Sequence, residues 1–228
     1  MADFSQVIHS LRGLVVSCQA PVESPLHEPA VIAAIAQAAI NQGAAGVRID
    51  TPTHVAAVRS RLDQPIIGLW KQQIPGFDVY ITPQFHHAAK IAEAGADVIA
   101  IDATLRDRPN GATVAALIAQ IHADLNKPVM ADVDSLEAAI AAVEAGADCV
   151  GTTLYGYTAQ TQHLSPPGFD LLTEMVKTLK IPVICEGGIA SPEMARRAIE
   201  LGATTVVVGT AITGIDLQVK AYRSALTD

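Results

Sequence analysis

The sequence contains few aromatic, basic and cysteine residues. The shortage of aromatic residues restricts the kind of core, and the shortage of basic residues restricts the kind of partner. Aromatic residues make up only 4% of the 228 residues, although 50% are hydrophobic. The core must therefore consist of Ala, Val, Ile and Leu, which is typical of parallel strands buried under helices. Fifteen Lys and Arg against 23 Asp and Glu give a formal net charge of −8. Without a basic tract, this composition argues against nucleic-acid and anionic-membrane partners.

Cysteines and long apolar runs are too few for an exported or membrane protein. Cys18, Cys149 and Cys185 form no C-x-x-C pair and leave one cysteine unmatched, which is typical of a reducing compartment. No apolar run approaches the ~18 residues that a membrane span requires. Asp3 and His9 near the start of the chain argue against a signal peptide. We therefore expect a cytoplasmic protein with no membrane partner.

Motifs for nucleotides and metals are also lacking. Neither G-x-G-x-x-G after the first apolar run nor G-x-x-x-x-G-K-[S/T] occurs, so nucleotide binding has no support. The histidines form neither H-x-H on a strand nor H-E-x-x-H on a helix. His86 and His87 are adjacent, so their side chains point in different directions on a helix. We expect no metal site and no cofactor.

Hydrophobic periodicity divides the chain into short apolar runs that alternate with Ala-rich helical stretches. The eight runs span residues 13–19, 45–50, 65–71, 97–102, 128–133, 148–153, 182–187 and 204–210. Helical stretches span residues 29–41, 84–94, 112–125, 135–145, 169–179 and 192–201. Four of the runs begin within similar sequence segments, such as AEAGADVI and VEAGADCV. In each segment a glycine is expected to end a helix in the left-handed conformation.

Eight such units with no hairpin signal favour an α/β fold, a (β/α)8 TIM barrel of the phosphate-binding type, over an open doubly wound sheet. We expect one domain over residues 1–228. Two helix starts are marked by capping residues: Asp134 before a helix that begins at Ser135, and Ser191 before a proline at the first helical position.

Polar side chains lie at the C-terminal ends of seven predicted strands. These residues are Gln19, Arg48, Lys71, Asp102, Asp132, Thr153 and Glu186. Substrate sites of TIM barrels lie at this rim. Any one of these residues could be a solvated loop residue, but seven strands that converge on one rim favour a common pocket.

Two ionisable residues stand out as candidates for catalysis. Lys71 directly follows the apolar run PIIGLW, where a lysine can act as a base or as a Schiff-base nucleophile, a surface lysine being the alternative. Glu186 ends the run PVIC, and on a strand of period two Cys185 points to the opposite side. We expect Cys185, and likewise Cys18 and Cys149, to pack against helices.

The remaining rim residues suit substrate binding, and two turns with glycine suit a phosphate. Arg48 supplies a fixed cation whose planar fork matches oxygen atoms, and we expect Gln19, Asp132 and Thr153 to bind the substrate with it. The pair Gly187-Gly188 follows strand seven, and Gly209-Thr210 follows strand eight. Small residues at these two ends let backbone N–H groups approach a phosphate closely.

Nine segments distributed from strand one to strand eight resemble one known family. Together they are similar to the N-acetylmannosamine-6-phosphate 2-epimerases, also called N-acylglucosamine-6-phosphate 2-epimerases, over nearly the whole chain. The segments are VSCQA (16–20), PLHEP (25–29), IIGLWK (66–71), YITP (80–83), DATLRDRPNG (102–111), MADV (130–133), TTLYGYT (152–158), PVICEGGI (182–189) and VVVGTAIT (206–213).

This resemblance implies an isomerase without a cofactor that acts in amino-sugar and sialic acid breakdown. The reaction would remove and return a proton at C2 of a ring-opened sugar phosphate, interconverting the N-acetylmannosamine and N-acetylglucosamine 6-phosphates. The resemblance implies a homodimer. It assigns catalysis to Lys71 and Glu186, sugar contacts to Gln19, Arg48 and Asp132, and phosphate contacts to glycines 187, 188 and 209.

A departure from the family bears on phosphate binding, and two rival functions remain. Gly214 follows AIT where the family usually has Arg or Lys, so we expect weaker phosphate binding than in relatives. A Schiff-base aldolase of the same fold would use Lys71 covalently on a sugar-acid phosphate. A barrel without catalysis would merely sense a sugar phosphate, although Lys71, Glu186 and Asp132 together argue against it.

Overall fold

A computed structural model describes residues 4–227 of the chain. Asp3 and the two ends of the predicted domain, residues 1 and 228, lie outside the described residues. Eight parallel strands form one closed barrel in sequence order, and β8 pairs with β1. The predicted TIM barrel is confirmed, and the open sheet is excluded. The strands are β1 (Gly13–Cys18), β2 (Gly46–Asp50), β3 (Ile66–Leu69), β4 (Val98–Asp102), β5 (Val129–Asp132), β6 (Cys149–Gly151), β7 (Val183–Glu186) and β8 (Thr205–Val208).

Helices connect and cover the strands, and each of the six predicted helical stretches is confirmed. The helices are α1 (Ser5–Ser10), α2 (Pro29–Asn41), α3 (Pro52–Arg59), α4 (Phe85–Glu93), α5 (Val114–Gln120), α6 (Leu136–Glu144), α7 (Phe169–Thr178), α8 (Pro192–Glu200), α9 (Thr210–Thr213) and α10 (Ile215–Thr227). A π-helical turn, Ile121–Leu125, extends α5. Within residues 4–227, no helix is long and apolar enough to cross a bilayer.

Two helix starts test the predicted caps. Ser191 caps α8 as predicted, since its side chain accepts a hydrogen bond from the third residue of the helix. At α6 the cap is Ser135, which accepts from the Ala138 amide at 3.2 Å. The prediction of Asp134 as the cap is wrong, because its carboxylate instead accepts from the Thr158 hydroxyl at 2.7 Å.

Two apolar clusters form the core, one inside the barrel and one between the strands and the helices. Cys18 and Cys185 belong to the outer cluster, as predicted. Cys149 belongs to the inner one, where it neighbours Met130 of β5. The prediction for Cys149 is wrong, because the register of the short strand β6 points its first residue inward. All three thiols are free and buried, and burial raises the pKa of Cys18 to about 12 and that of Cys185 to about 11.

Candidate active site

A cavity of about 880 Å³ opens at the C-terminal end of the barrel. Its size is that of a site for a small ligand. The side chains and backbone that line it include most of the residues predicted from the sequence. These are Gln19, Arg48, Lys71, Thr153, Glu186, Gly187, Gly188, Gly209 and Thr210.

Two of the seven rim residues do not line this cavity. Asp132 is 0% exposed and lies beneath Arg48 and Thr153, both of which bond to it. Asp102 is also 0% exposed, and its backbone and side chain bond to Ile81 and Tyr80, which line the cavity themselves. The prediction that all seven side chains line one pocket is therefore wrong for Asp102 and Asp132, although both partners of Asp132, Arg48 and Thr153, do line it.

One guanidinium serves two carboxylates on the floor of the cavity. Arg48 is 1% exposed, and its Nη1 and Nη2 donate to the two oxygens of Asp132 at 3.1 and 2.6 Å. The same Nη1 lies 3.0 Å from Oε2 of Glu186. Thr153 donates to Asp132 at 2.6 Å and reaches Glu186 at 3.4 Å. Alternation along β2 explains the position of Arg48, since its neighbours Val47 and Ile49 pack in the outer cluster.

The Glu186 carboxyl is poised to exchange protons near neutral pH. Its side chain is 13% exposed. Burial raises the pKa of Glu186 to about 7, with Arg48 opposing the increase, Asp132 adding to it and the Lys71 charge opposing it. A carboxyl with a pKa near the working pH can both accept and donate a proton.

Lys71 presents an exposed side chain to the cavity, and its amine is oriented by Gln19. Its Nζ donates to Oε1 of Gln19 at 2.6 Å. The amide nitrogen of Gln19 donates to the Ser17 hydroxyl at 2.9 Å, which fixes the amide oxygen toward the lysine. The backbone N–H of Lys71 donates to Asp50 at 3.0 Å. This chain of bonds holds the amine at the wall formed by β1, β2 and β3.

Two of the three glycines proposed for phosphate adopt a left-handed backbone, whereas Gly209 has a φ of −108°. Gly187 and Gly188 have φ of +99° and +70°, which other residues rarely adopt. A Cβ on Gly188 would lie 2.5 Å from Cβ of Pro166. At Gly214, a Cβ would lie 2.8 Å from Cα of Thr210, in the first turn of α9. The family's usual basic residue therefore does not fit at 214 unless this backbone moves.

Sequence reasoning missed several residues that line the cavity, among them Ser17, His27, Tyr80 and Tyr157. Ser17 lies two residues before Gln19 on β1, so period two could have placed it on the same face. His27 is held by its Nδ1 contact with a carbonyl oxygen of the β1–α2 loop at 3.0 Å. Periodicity did not mark Tyr80 and Tyr157, because both lie on irregular loops, although both belong to segments that carry the family resemblance.

The histidines do not assemble into a metal centre. Within the described part of the chain, no group of three or more His, Cys, Asp or Glu is arranged to hold an ion. The rings of His86 and His87 lie with centroids 3.8 Å apart and planes tilted by 46°, so the prediction that the two side chains point in different directions is wrong. Burial, helped by the neighbouring ring, lowers the pKa of His87 to about 4, so it stays neutral at pH 7.

Comparisons with known proteins agree with this geometry. The family model described as "Putative N-acetylmannosamine-6-phosphate epimerase" matches residues 32–228. A protein of Synechococcus elongatus named "Putative N-acetylmannosamine-6-phosphate 2-epimerase" is 59% identical over 227 residues, 98% of each chain. A Cutibacterium acnes protein with the same name is 44% identical over 211 residues, 91% of each chain.

A solved structure extends the similarity to three dimensions. The N-acetylmannosamine-6-phosphate 2-epimerase from Clostridium perfringens superposes with a TM-score of 0.92 at 38% identity, and the match covers 96% of each chain. The family model covers seven of the eight barrel strands, β2 to β8, and the two relatives and the solved structure cover 91–98% of the chain. The chain belongs to the N-acetylmannosamine-6-phosphate 2-epimerase family.

Proposed function

We propose that this protein interconverts N-acetylmannosamine 6-phosphate and N-acetylglucosamine 6-phosphate, a step of amino-sugar and sialic acid breakdown. The observation that carries the proposal is one cavity in which Lys71 and Glu186 lie at the ends of β3 and β7 around the buried Arg48 cation. The two sugars differ only in configuration at C2, so the reaction moves a proton and leaves the oxidation state unchanged.

Proton transfer at C2 requires a base, because the hydrogen is bonded to carbon. Once the ring opens to the aldehyde, loss of this proton gives an enolate, and return of a proton to the other face inverts C2. Lys71 acts as the general base and acid. Glu186, whose pKa is raised to about 7, orients the acetamido group and relays a proton.

The negative charge that develops on the enolate oxygen is stabilised by a cation already fixed in place. Arg48 is held by Asp132 on two bonds, so its guanidinium needs no reorientation during the reaction. Gln19 and Thr153 bind sugar hydroxyls at the cavity wall. Asp132 contributes through Arg48 and Thr153, which it orients.

Phosphate binding holds the sugar so that C2 faces the lysine. The pair Gly187-Gly188 and the pair Gly209-Thr210 offer backbone N–H groups at the ends of β7 and β8. Binding energy at this remote end of the substrate contributes to catalysis when it fixes the reacting carbon.

The proposed function is tested by an NMR time course with purified protein. We expect conversion of N-acetylmannosamine 6-phosphate to the N-acetylglucosamine epimer. We expect kcat/KM for unphosphorylated N-acetylmannosamine to be lower by about 10²-fold or more, since only bound phosphate holds C2 at the lysine. No conversion of the phosphate would contradict the epimerase, and equal turnover of the free sugar would contradict the phosphate site.

A cytoplasmic location is part of this proposal. The three cysteines are free and buried, a state that a reducing compartment maintains. The proposed substrate is a phosphorylated metabolite that carries charge and does not cross membranes unaided. Both points support the cytoplasm.

We also propose that the protein is a homodimer, and α10 supports this. The helix packs chiefly on α9 rather than on the strands. Ile215, Val219, Tyr222 and Leu226 are 56%, 61%, 72% and 86% exposed, and their spacing places them on one face. An exposed apolar stripe of this length is typical of an interaction surface, and a second copy of the chain would cover it.

We expect the protein to sediment as a dimer and Val219→Glu to sediment as a monomer, because the new carboxylate would be buried in the contact. Ala221→Glu adds the same charge on another face of α10 and serves as the matched control, which stays dimeric. Analytical ultracentrifugation at tens of micromolar measures both. A monomeric parent protein would contradict the homodimer, and a dimeric Val219→Glu would contradict α10 as its interface.

A further inference from the structure

The backbone at Lys71 is held by a loop segment rather than by a barrel strand. β3 ends two residues before Lys71, and from there the chain pairs with residues 78–82, which we call the strap. Lys71 forms an antiparallel bridge with Ile81. The carbonyl before Lys71 accepts from the Thr82 amide at 2.9 Å, and the amide after it donates to the Tyr80 carbonyl at 2.9 Å.

The other side of the strap is bound to Asp102 and Arg106. The Asp102 amide donates to the Ile81 carbonyl at 2.8 Å, and its Oδ2 accepts from the Tyr80 amide at 3.3 Å. Nη1 of Arg106 donates to the Asp78 carbonyl at 2.9 Å. The strap therefore lies between the catalytic lysine and this pair, with direct bonds to both.

The Asp102–Arg106 pair is itself rigid and buried. The two charged groups are 2.7 Å apart, and their side chains are 0% and 10% exposed. The Thr104 hydroxyl joins them, accepting from Arg106 at 2.9 Å and donating to Asp102 at 2.7 Å. Neither charged residue lines the catalytic cavity. A buried, fully bonded network of this kind fixes the backbone that it contacts.

The strap also contains a strained residue. Thr82 has a φ of +45° and is 0% exposed. A β-branched residue seldom occupies this region, and such a conformation persists where surrounding bonds impose it. The Thr82 hydroxyl accepts from the Trp70 amide at 3.1 Å, directly before Lys71. The strain lies at the point where the strap meets the lysine segment.

We propose that Asp102 and Arg106 are positioning residues for Lys71, acting through the strap of residues 78–82. The proposal rests on the proposed function, since it takes Lys71 as the base. When the strap shifts, the amine moves relative to C2 of the bound sugar. A displacement of about 1 Å can cost about 10²-fold in rate. This role explains why the segment DATLRDR ends a barrel strand without entering the cavity.

The test compares Arg106→Gln with Arg59→Gln. We expect Arg106→Gln to lower kcat by about 10–100-fold, with KM changed by about threefold or less because Arg48 and the glycine pairs are untouched. Arg59 is the matched control, because it forms an ion pair with Asp97 that also supports β3. Asp97 accepts from the first amide of β3, at the end of the strand opposite Lys71. We expect wild-type kcat for Arg59→Gln. Equal losses in both variants would mean a merely structural role and would overturn the proposal.

A double variant separates positioning from an independent contribution. If Arg106 acts through the lysine, Arg106→Gln should not lower the residual rate of Lys71→Ala any further. If Arg106→Gln lowered kcat by the same factor in the wild type and in Lys71→Ala, the proposal would be overturned. Arg106→Lys keeps the charge opposite Asp102 but loses the fork that also reaches Asp78. We expect it to lie between the glutamine variant and the wild type, and it serves as the test if the glutamine variant does not fold.

Amide hydrogen exchange gives a readout that needs no turnover. We expect Arg106→Gln to accelerate exchange at the amides of Gln72 and Thr82 by about tenfold or more, and Arg59→Gln to leave them unchanged. Unchanged exchange in Arg106→Gln would overturn the positioning role even in an active enzyme. A wild-type protein without epimerase activity would instead contradict the proposed function, while exchange still decides whether the pair holds the strap.

Discussion

Lys71→Ala is expected to lower kcat for epimerisation by about 10²–10⁴-fold, the range for loss of a general acid–base group. The protein should remain folded, because the Lys71 side chain is exposed and the bond that its amine donates to Gln19 lies in the cavity rather than in the core. Lys90→Ala removes an exposed lysine of α4 that bonds to Glu93 and is the matched control. Initial rates by NMR and circular dichroism of both variants measure the effect. Unchanged turnover in Lys71→Ala would contradict the assignment of the base.

Reaction in D2O follows the proton itself. Deuterium should appear at C2 of the product, because an enolate is reprotonated from an exchangeable group. If Lys71 serves both faces, its three equivalent hydrogens rotate, and some original hydrogen returns to C2 in early single turnovers. If Glu186 serves the second face, the solvent label is complete from the first turnover, provided that this carboxyl exchanges rapidly. Product without deuterium at C2 would exclude deprotonation.

Borohydride distinguishes the epimerase from the Schiff-base aldolase that Lys71 could also support. The proposed mechanism forms no covalent bond to the enzyme, so reduction in the presence of substrate should leave the mass of the protein unchanged. A substrate adduct on Lys71 would favour the aldolase. Mass spectrometry of the digested protein locates any adduct.

Arg48→Met is expected to destabilise the protein by about 3–5 kcal/mol, since it leaves two buried carboxylates without their cation. It should also lower kcat by about 10²–10³-fold, the cost of losing one preorganised group that stabilises the oxyanion. Asp132 and Glu186 both contact the guanidinium at 3.1 Å or less. Methionine keeps much of the side-chain volume of arginine, so the loss of stability reports the missing charge rather than a new cavity.

The stability loss should depend on pH. The pKa of Glu186 is raised from 4.5 to about 7 in the folded protein, and Arg48 opposes that increase, so its removal raises the pKa further. A carboxyl with a raised folded-state pKa binds protons more tightly in the folded state, so stability falls as pH rises from the unfolded value through the folded one. Arg48→Met should therefore lose more stability at pH 8 than at pH 5.5.

Urea unfolding at the two pH values measures this difference. Glu186→Gln added to Arg48→Met removes one of the two carboxylates and should restore part of the stability at pH 8. It should also flatten the pH dependence, because the titrating group is gone. Equal losses for Arg48→Met at pH 5.5 and pH 8 would mean that Glu186 is not coupled to the guanidinium.

The barrel and most of the site could be predicted because local patterns carry them. Eight apolar runs alternate with helical stretches, and four of the runs follow a helix that ends in glycine. Residues at the strand ends of a parallel barrel must meet at one rim. Lys71, Glu186 and Arg48 follow from that rule alone. The inward position of Cys149 does not, since its strand has three residues and its register is set by neighbours.

The strap could not be predicted, because its role depends on contacts between distant parts of the chain. Residues 78–82 read DVYIT, an alternation too short to indicate its partners, and their bonds reach the Lys71 segment on one side and Asp102 on the other. Asp102 ends a strand like the other rim residues, so sequence alone placed it with them. The intervening Tyr80 and Ile81 remove it from the cavity. A similar tertiary contact took Asp134 away from the helix that it precedes.

The close packing of Gly214 on Thr210 has a consequence for engineering tighter phosphate binding. Restoring arginine at 214 would push a Cβ to within 2.8 Å of Thr210 Cα and displace the α9 turn beside the phosphate-binding glycines. Gln218 lines the cavity one helical turn later, and its side chain already reaches the Thr210 carbonyl at 3.2 Å. A designer who wants a cation near the phosphate should therefore build it from 218, on a backbone that already accommodates a long side chain.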